Sequence, residues 1–374
     1  MVEVKDTSVK TSYRVDDVIL LLKDVTGRIE AQSTEERERA IQSGRHYCEM
    51  LPKEECPTKE YFELYNMALN KYAKETANAV KILSERIVKA YEDRVERSEE
   101  KGEIVLVSLA RAGLPVGILV KHYIQNKYGN KFNVMHYGIS IIRGKGIDHN
   151  AMSFLLKLYK PEQLQFIDGW TGKGAILDTL KTELMDKRYK GVSQDLAVLA
   201  DPAGICELCG TREDFLIASS CLNSTVSGLI SRTILRDDLI GDKDFHGAVY
   251  NEEFKNIDES YNLIHKIEEY IDYSDVSMEI KERCPLEEES GFIEAQDIAN
   301  KFGITDITKV KPSIGECTRV LLRRVPWKVL VHDINDDEHI GHIKRLAQEK
   351  GVEVIEYPLH RYKAVGIVKD KSDI

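Results

Sequence analysis

The sequence predicts an α/β protein: a parallel sheet carrying a helical N-terminal extension, followed by a small second α/β domain. Three observations predict it. From Lys101-Gly102 onward, apolar runs of strand length alternate with helical patterns of ten or so residues, which implies parallel strands joined by right-handed crossovers. Small-residue or glycine-rich turns follow several of those strands. The charge then shifts: residues 250–306 hold 16 acidic and 5 basic residues, whereas 307–374 hold 10 acidic and 13 basic. That shift places a boundary, giving 1–100 as the helical extension, 101–250 as the main α/β domain, 251–300 as an acidic helical linker and 301–374 as the second domain.

The elements follow in order. Asp16–Lys23 and Glu35–Ser43 carry helical pattern. Tyr65, Leu69, Tyr72, Thr76, Val80, Leu83, Ile87 and Tyr91 recur at three- and four-residue spacing, a long amphipathic helix with a core-packing face. Strands are expected at 103–109, 133–142, 164–168, 195–200 and 215–220. Helices are expected at 114–125, 151–159 and from 174 to about 187. The acidic stretch 251–283 reads helical. Beyond it come a helix at 315–324, a strand at 328–332, a helix at 338–350 and short strands at 353–357 and 363–368.

Composition bounds the function. The chain has 374 residues, 42% of them apolar, and a net charge of −10. It is long enough for a sizeable core and too acidic for non-specific nucleic-acid binding by the whole molecule. No run approaches the ~20 apolar residues of a bilayer span. The N-terminus lacks the apolar segment of a signal peptide. Seven cysteines, an odd number, suggest reduced thiols and a cytoplasmic protein.

In open parallel sheets ligands bind at the carboxyl ends of the strands, so the turns there are the places to search. The strand at 164–168 leads into Phe166-Ile-Asp-Gly-Trp-Thr-Gly-Lys-Gly-Ala175. The N–H groups from Thr171 to Ala175, with a helix N-terminus behind them, suit an anion-binding nest. Gly172 and Gly174 admit close approach, the Thr171 hydroxyl adds a donor, and Asp168 is placed to accept from ribose hydroxyls. An ordinary tight turn is the alternative. Strand 103–109 ends in Ser108-Leu-Ala-Arg-Ala-Gly113, where Arg111 offers a guanidinium fork. Strand 133–142 ends in Arg143-Gly-Lys-Gly146, a flexible loop with two cations that can close over a polyphosphate; a solvated basic loop is its bland counterpart.

The order of these loops resembles that of the type I phosphoribosyltransferases: a pyrophosphate turn, a flexible catalytic loop, then an acid-plus-Thr-Gly phosphoribosyl motif. Asp168, Thr171 and Gly172 carry the last likeness. The chain departs from the pattern in having one acid between Ile167 and Gly169 where that family usually has two, and Gly174 where it closes on Thr or Ser. A closer resemblance is to a subfamily that adds a Pelota-like RNA-binding domain and is associated with bacterial tellurite-resistance and stress-response gene clusters, some members being labelled cysteine proteases. Glu35–Gly44, His46-Tyr-Cys-Glu-Met-Leu-Pro52, Ile141–Asp148 and Cys221-Leu-Asn-Ser-Thr-Val-Ser-Gly228 carry it.

The resemblance implies a Mg²⁺-dependent transfer of ribose 5-phosphate from phosphoribosyl pyrophosphate to a nucleobase-like acceptor. Ser108, Arg111, Ala112 and Gly113 would bind pyrophosphate. Thr171, Gly172, Lys173, Gly174 and Ala175 would bind the 5-phosphate. Asp168 would hold ribose and, indirectly, Mg²⁺, while Arg143 and Lys145 close the site. Asp201, Asn223, Ser224, Thr225 and Arg232 are candidate acceptor contacts, with capping and turn duty as the alternative. His46, Tyr47 and Glu49 are a candidate hood.

Two rivals stand beside this reading. One is a non-catalytic nucleotide or RNA sensor. The other is a cysteine hydrolase with Cys221 as nucleophile and His136 or His246 as base. Cys206 and Cys209 have metal-ligand spacing but no second pair to complete a zinc site. In the second domain, Gly315 and Glu316 open a helix that carries Thr318, Arg319 and Arg323, resembling the Pelota-like and kink-turn-binding fold. RNA backbone contact is one expectation there, and docking of those arginines on the acidic stretch is the other.

Overall fold

The computed structural model describes residues 8–95, 101–275 and 290–369. Its centre is a six-stranded sheet of β1 (Ile19–Leu20), β2 (Gly102–Leu109), β3 (Phe132–Ile139), β4 (Leu164–Trp170), β5 (Leu196–Ala200) and β6 (Cys209–Thr211), in the order β1-β3-β2-β4-β5-β6 with every pairing parallel. Alternation along the strands makes it a three-layer sandwich. Ile104 and Leu106 face one side, where α1 (Lys59–Arg94) and α2 (Gly113–Tyr128) pack, while Val105, Val107 and Leu109 face the other. There they meet α3 (His149–Leu158) and α4 (Ala175–Leu184). Both faces are covered, so these strands read as unbroken apolar runs.

Two expected elements differ. Val18, Leu20, Leu21 and Leu22 are all buried, so the segment expected as a helix at 16–23 instead carries β1 at its centre, on the sheet edge. The run 215–220 is equally buried but joins no strand; Phe215 packs on Tyr72 of α1, ring centroids 5.5 Å apart. The sheet edge goes instead to β6, where Gly210 permits contact with α1: a Cβ there would stand 2.2 Å from the Ala79 carbonyl oxygen. Residues 252–257 form a 3₁₀ turn, followed by α5 (Ser260–Glu268). The rest of the helix expected to 283 lies mostly outside the described residues.

The small domain comprises α6 (Gly291–Lys301), β7 (Val310–Pro312), α7 (Ile314–Arg323), β8 (Pro326–Val331), α8 (Asp337–Glu349), β9 (Glu353–Glu356) and β10 (Ala364–Val368). Its sheet order is β7-β10-β8-β9. It docks where β4 and β5 end. Buried Asp214 accepts hydrogen bonds from Ile314 N at 2.9 Å and Lys363 N at 2.9 Å, and Tyr362 Oη donates to the Gly172 carbonyl at 2.6 Å. Among the described residues no helix is long and apolar enough to cross a membrane.

Candidate active site

The strand ends, the 46–54 segment, the 221–232 segment and the start of α7 converge. At their meeting point Arg111, just after β2, donates to Glu54 Oε1 at 2.6 Å and to the Ile230 carbonyl at 3.1 Å. Glu54 Oε2 also accepts from Ser224 N at 3.3 Å and from the Ser224 hydroxyl. Burial alone would raise the Glu54 carboxyl, but Arg111 and Ser224 outweigh it and hold it below its ordinary value.

A thiol–imidazole contact lies in the same 46–54 segment. His46 Nδ1 is 2.9 Å from Cys48 Sγ. His46 caps the 3₁₀ turn Tyr47–Glu49, so the turn itself brings the ring back over residue 48. Cys48 N–H also points at Nδ1, at 3.4 Å, and the ring has a further hydrogen bond to the Arg143 backbone that favours its charged form. That leaves Nδ1 as the lone-pair nitrogen facing the thiol, the tautomer a general base requires. The Leu235 carbonyl lies 3.6 Å from Sγ on the other side. Burial pushes the Cys48 thiol up and His46 down, so at neutral pH the pair rests uncharged. Lys145 is the foremost cation acting on both, in the sense that favours thiolate and neutral imidazole. Sequence reading passed over this thiol. The His-x-Cys-Glu run was the available signal, and it was read as a hood.

Most residues expected to bind phosphate are engaged internally. Thr171 N donates to the Ala200 carbonyl and the Thr171 hydroxyl to Asp201, which also accepts from Cys206 N and Arg212. Asp201 is thus a buried structural anchor, with no edge left for an acceptor. Lys173 reaches the Ile307 and Val310 carbonyls of the small domain, and the Gly172 carbonyl is capped by Tyr362. Gly174 (φ 92°) and Ala175 open α4. Ser108 bonds to the Gly113 carbonyl and to His136. Ala112 and Gly113 start α2, where a Cβ on Gly113 would stand 2.4 Å from the Ile167 carbonyl oxygen. Asp168 accepts from its neighbour Gly169 N, and burial pushes its carboxyl up to about 7. Arg143 and Lys145 stay exposed at the mouth. Asn223 accepts from Arg323, Ser224 is held by Glu54, Thr225 is buried, and Arg232 stacks over the Tyr47 ring at 4.6 Å. Among the described residues no group of three His, Cys, Asp or Glu stands ready for a metal ion. Cys206 and Cys209 are buried free thiols.

The expected Cys221 site is not assembled. Cys221 is buried, and burial pushes its thiol up to about 12 despite Arg323 and Arg319 nearby. Its two candidate bases are held elsewhere: His136 between Ser108 and the Asp17 carbonyl, His246 by Ser140. The expected RNA face is also turned inward. Arg319 donates to the Ser220 carbonyl, Arg323 to the Cys221 carbonyl, Thr318 to Ile314 and His342, and Gly315 lies against Ser220. Among the described residues, the arginines of α7 therefore dock on 220–223.

His46 and Cys48 thus stand paired in the segment that Glu54 ties to the strand-end turn at Arg111. Comparison gives the family. Residues 11–268 match the family described as tellurite-like stress resistance cysteine protease StiP, and residues 289–370 match the PELOTA RNA binding domain. The chain is 35% identical to Cysteine protease StiP of Acinetobacter baylyi (strain ATCC 33305 / BD413 / ADP1), over 96% of this chain and 94% of that protein. It belongs to the StiP family. No solved structure matches it. These findings overturn the phosphoribosyltransferase expectation: the family and the relative carry the name of a cysteine protease, not of a glycosyltransferase. The donor, acceptor and Mg²⁺ roles were expected of the strand-end loops only as parts of that reaction.

Proposed function

We propose that this chain is a thiol-dependent hydrolase of peptide-type acyl bonds, with Cys48 as nucleophile and His46 as base. The observation that carries it is the 2.9 Å contact between His46 Nδ1 and Cys48 Sγ. The naming of the family and of the 35% identical relative supports the same chemistry. Sγ attacks the carbonyl carbon as its proton passes to Nδ1, and the tetrahedral oxyanion forms within reach of the Lys145 charge. His46 then gives the proton to the leaving amine, and water hydrolyses the thioester with His46 again as base. Cys48 is 0% exposed, so the substrate must part the exposed 143–145 loop from His46 to reach it. The strand and loop order supports a phosphoribosyltransferase-like scaffold turned to this different reaction.

The test is release of fluorophore from a pooled fluorogenic peptide library by four proteins: wild type, Cys48→Ser, His46→Ala and Cys221→Ser. Activity lost in the first two variants and kept in the third supports the assignment. Activity lost only in Cys221→Ser would move the nucleophile there.

The PELOTA match supports RNA contact as a second role of the small domain. That contact needs a face other than α7, whose arginines are engaged; gel-shift titration at rising salt tests it, and binding insensitive to salt counts against phosphate contact.

A further inference from the structure

The Tyr47 ring has two partners. Its centroid lies 4.5 Å from that of the His46 ring, with the planes inclined by 37°, and the Arg232 guanidinium carbon lies 4.6 Å from it. Neighbours in an extended strand point to opposite faces. The 3₁₀ turn that starts at Tyr47 instead sets the rings of residues 46 and 47 against each other. Among the described residues no carboxylate pairs with the half-buried Arg232, so the Tyr47 ring is where its charge is met. A partly desolvated guanidinium gains from an aromatic face what a counter-ion would otherwise supply. The segment that carries Arg232 also reaches Cys48. Leu235 N donates to the Cys48 carbonyl at 3.0 Å, and the Leu235 carbonyl lies 3.6 Å from Cys48 Sγ. That segment is itself fixed, with Ser231 N donating to the Val249 carbonyl and Ile234 N to the Gly247 carbonyl, both at 2.8 Å. At the opposite nitrogen of His46, a Cβ on Gly144 would stand 3.5 Å from Nε2. The imidazole is thus bounded by Cys48 at Nδ1, by the 143–145 loop at Nε2 and by Tyr47 against the ring.

A general base acts only while its lone pair stays on the nucleophile, within roughly 0.5 Å of the productive geometry. The χ2 torsion of histidine is broad, and a half-turn about it would put a ring carbon where Nδ1 stands. We infer that Tyr47 and Arg232 are positioning residues of the thiol–imidazole pair: the guanidinium clamps the Tyr47 ring, and that ring holds the His46 imidazole with Nδ1 on Cys48 Sγ. The inference rests on the hydrolase reading for what the imidazole then does. Arg232 acts here through Tyr47 and not by its charge on the thiol, so its effect exists only while the ring is present. The ring and not the hydroxyl of Tyr47 carries the role, so phenylalanine should replace it and an aliphatic side chain should not.

The test uses full-length protein and two readouts. The first is kcat and KM on the fastest-cleaved member of the fluorogenic peptide library. Tyr47→Phe should stay within about threefold of wild type, whereas Tyr47→Leu should lose about tenfold or more in kcat with KM held within about twofold. Arg232→Met should lose about threefold to tenfold in kcat, and nothing more when added to Tyr47→Leu. The second readout needs no turnover: the ring nitrogens of His46 at neutral pH in protein labelled with ¹⁵N-histidine, assigned by their loss in His46→Ala. Wild type should show one tautomer, protonated at Nε2, and the two nitrogen shifts should move together in Tyr47→Leu and Arg232→Met as the ring is freed. An averaged wild-type spectrum overturns the inference, as does an unchanged kcat or an unchanged tautomer in folded Tyr47→Leu. Equal losses in Tyr47→Phe and Tyr47→Leu overturn the role of the ring, and a fully additive loss in the double variant overturns that of Arg232. If Tyr47→Leu does not fold, Arg232→Met decides by the same two readouts. Wild type that cleaves no peptide sinks the hydrolase reading alone, and the nitrogen spectra still decide the positioning.

Discussion

Arg111 Nη1 stands 2.6 Å from Glu54 Oε1, and this ion pair joins the first turn after β2 to the segment that carries Cys48. Both side chains are largely buried, at 19% and 10% exposure. Removing one partner leaves the other charge in a poor dielectric, already crowded by Arg323 and Arg319. Glu54→Gln is therefore expected to cost about 3 kcal/mol of unfolding free energy. It should cost activity as well, because the 46–54 segment loses its anchor. Urea unfolding of the variant against wild type checks the first effect. A change below about 0.5 kcal/mol, the scatter of surface substitutions, would show that the pair is dispensable.

That pair also shows what the sequence could reveal. Arg111 was legible because a strand, a small-residue turn and a helix fix its place at a sheet end. Glu54 was not, since nothing local says that an acid 57 positions earlier in the chain will meet it. The parallel sheet was legible for a similar reason: runs such as Glu103–Leu109 are apolar on both faces, and only burial between two helical layers calls for that. The run 215–220 has the same composition but packs on α1, a difference set by tertiary partners. At the site, phosphate-loop chemistry was inferred from residue types at 171–175. The same donors turned out to be bonded to Ala200 and Asp201, with Lys173 drawn to the small domain. Hydrogen-bond partners, unlike turn composition, are non-local, and so the likeness of motif misled.

Asp214 tests the joint between the domains. Asp214 is 4% exposed and accepts from the buried Ile314 N and from the half-buried Lys363 N. Asp214→Ala orphans both, at about 1–3 kcal/mol each. The expected result is a lower urea midpoint and a broadened or biphasic transition, as the small domain releases ahead of the main sheet. A single transition with an unchanged midpoint would mean that the docking does not depend on this carboxylate.

Asp168 makes stability depend on pH in a known direction. Burial raises its folded pKa to about 7, above an unfolded value near 3.9. The folded state therefore holds the proton more tightly, and stability falls as pH rises from about 4 to 7, then stays flat. At 1.36 kcal/mol per unit the upper bound is about 4 kcal/mol, reduced here because Asp168 as a residue is only half-buried. Asp168→Asn removes the penalty. It should be more stable than wild type at pH 8 and no more stable at pH 4, by urea titration at both values. A gain of equal size at both pH values would refute the titration account.

The resting state of the thiol is the last consequence. Cys48 is raised by burial and His46 is lowered by it, so proton transfer within the pair is unfavourable before substrate arrives. A preformed thiolate–imidazolium pair would alkylate at nearly constant rate down to the depressed pKa of the thiol itself. A neutral pair instead gains reactivity as the thiol itself loses its proton. Iodoacetamide labelling of Cys48, followed by peptide mass spectrometry, should therefore climb about tenfold per pH unit from pH 6 to 8 with no plateau on the acid side, since thiolate grows tenfold per unit below the thiol pKa. His46→Ala removes the burden of the ring but also the acceptor at 2.9 Å, so its labelling should keep the same slope while peptide hydrolysis disappears. An acid-side plateau in wild type that vanishes in His46→Ala would show the ion pair to be preformed, with Lys145 favouring the thiolate and the Arg143 backbone the imidazolium.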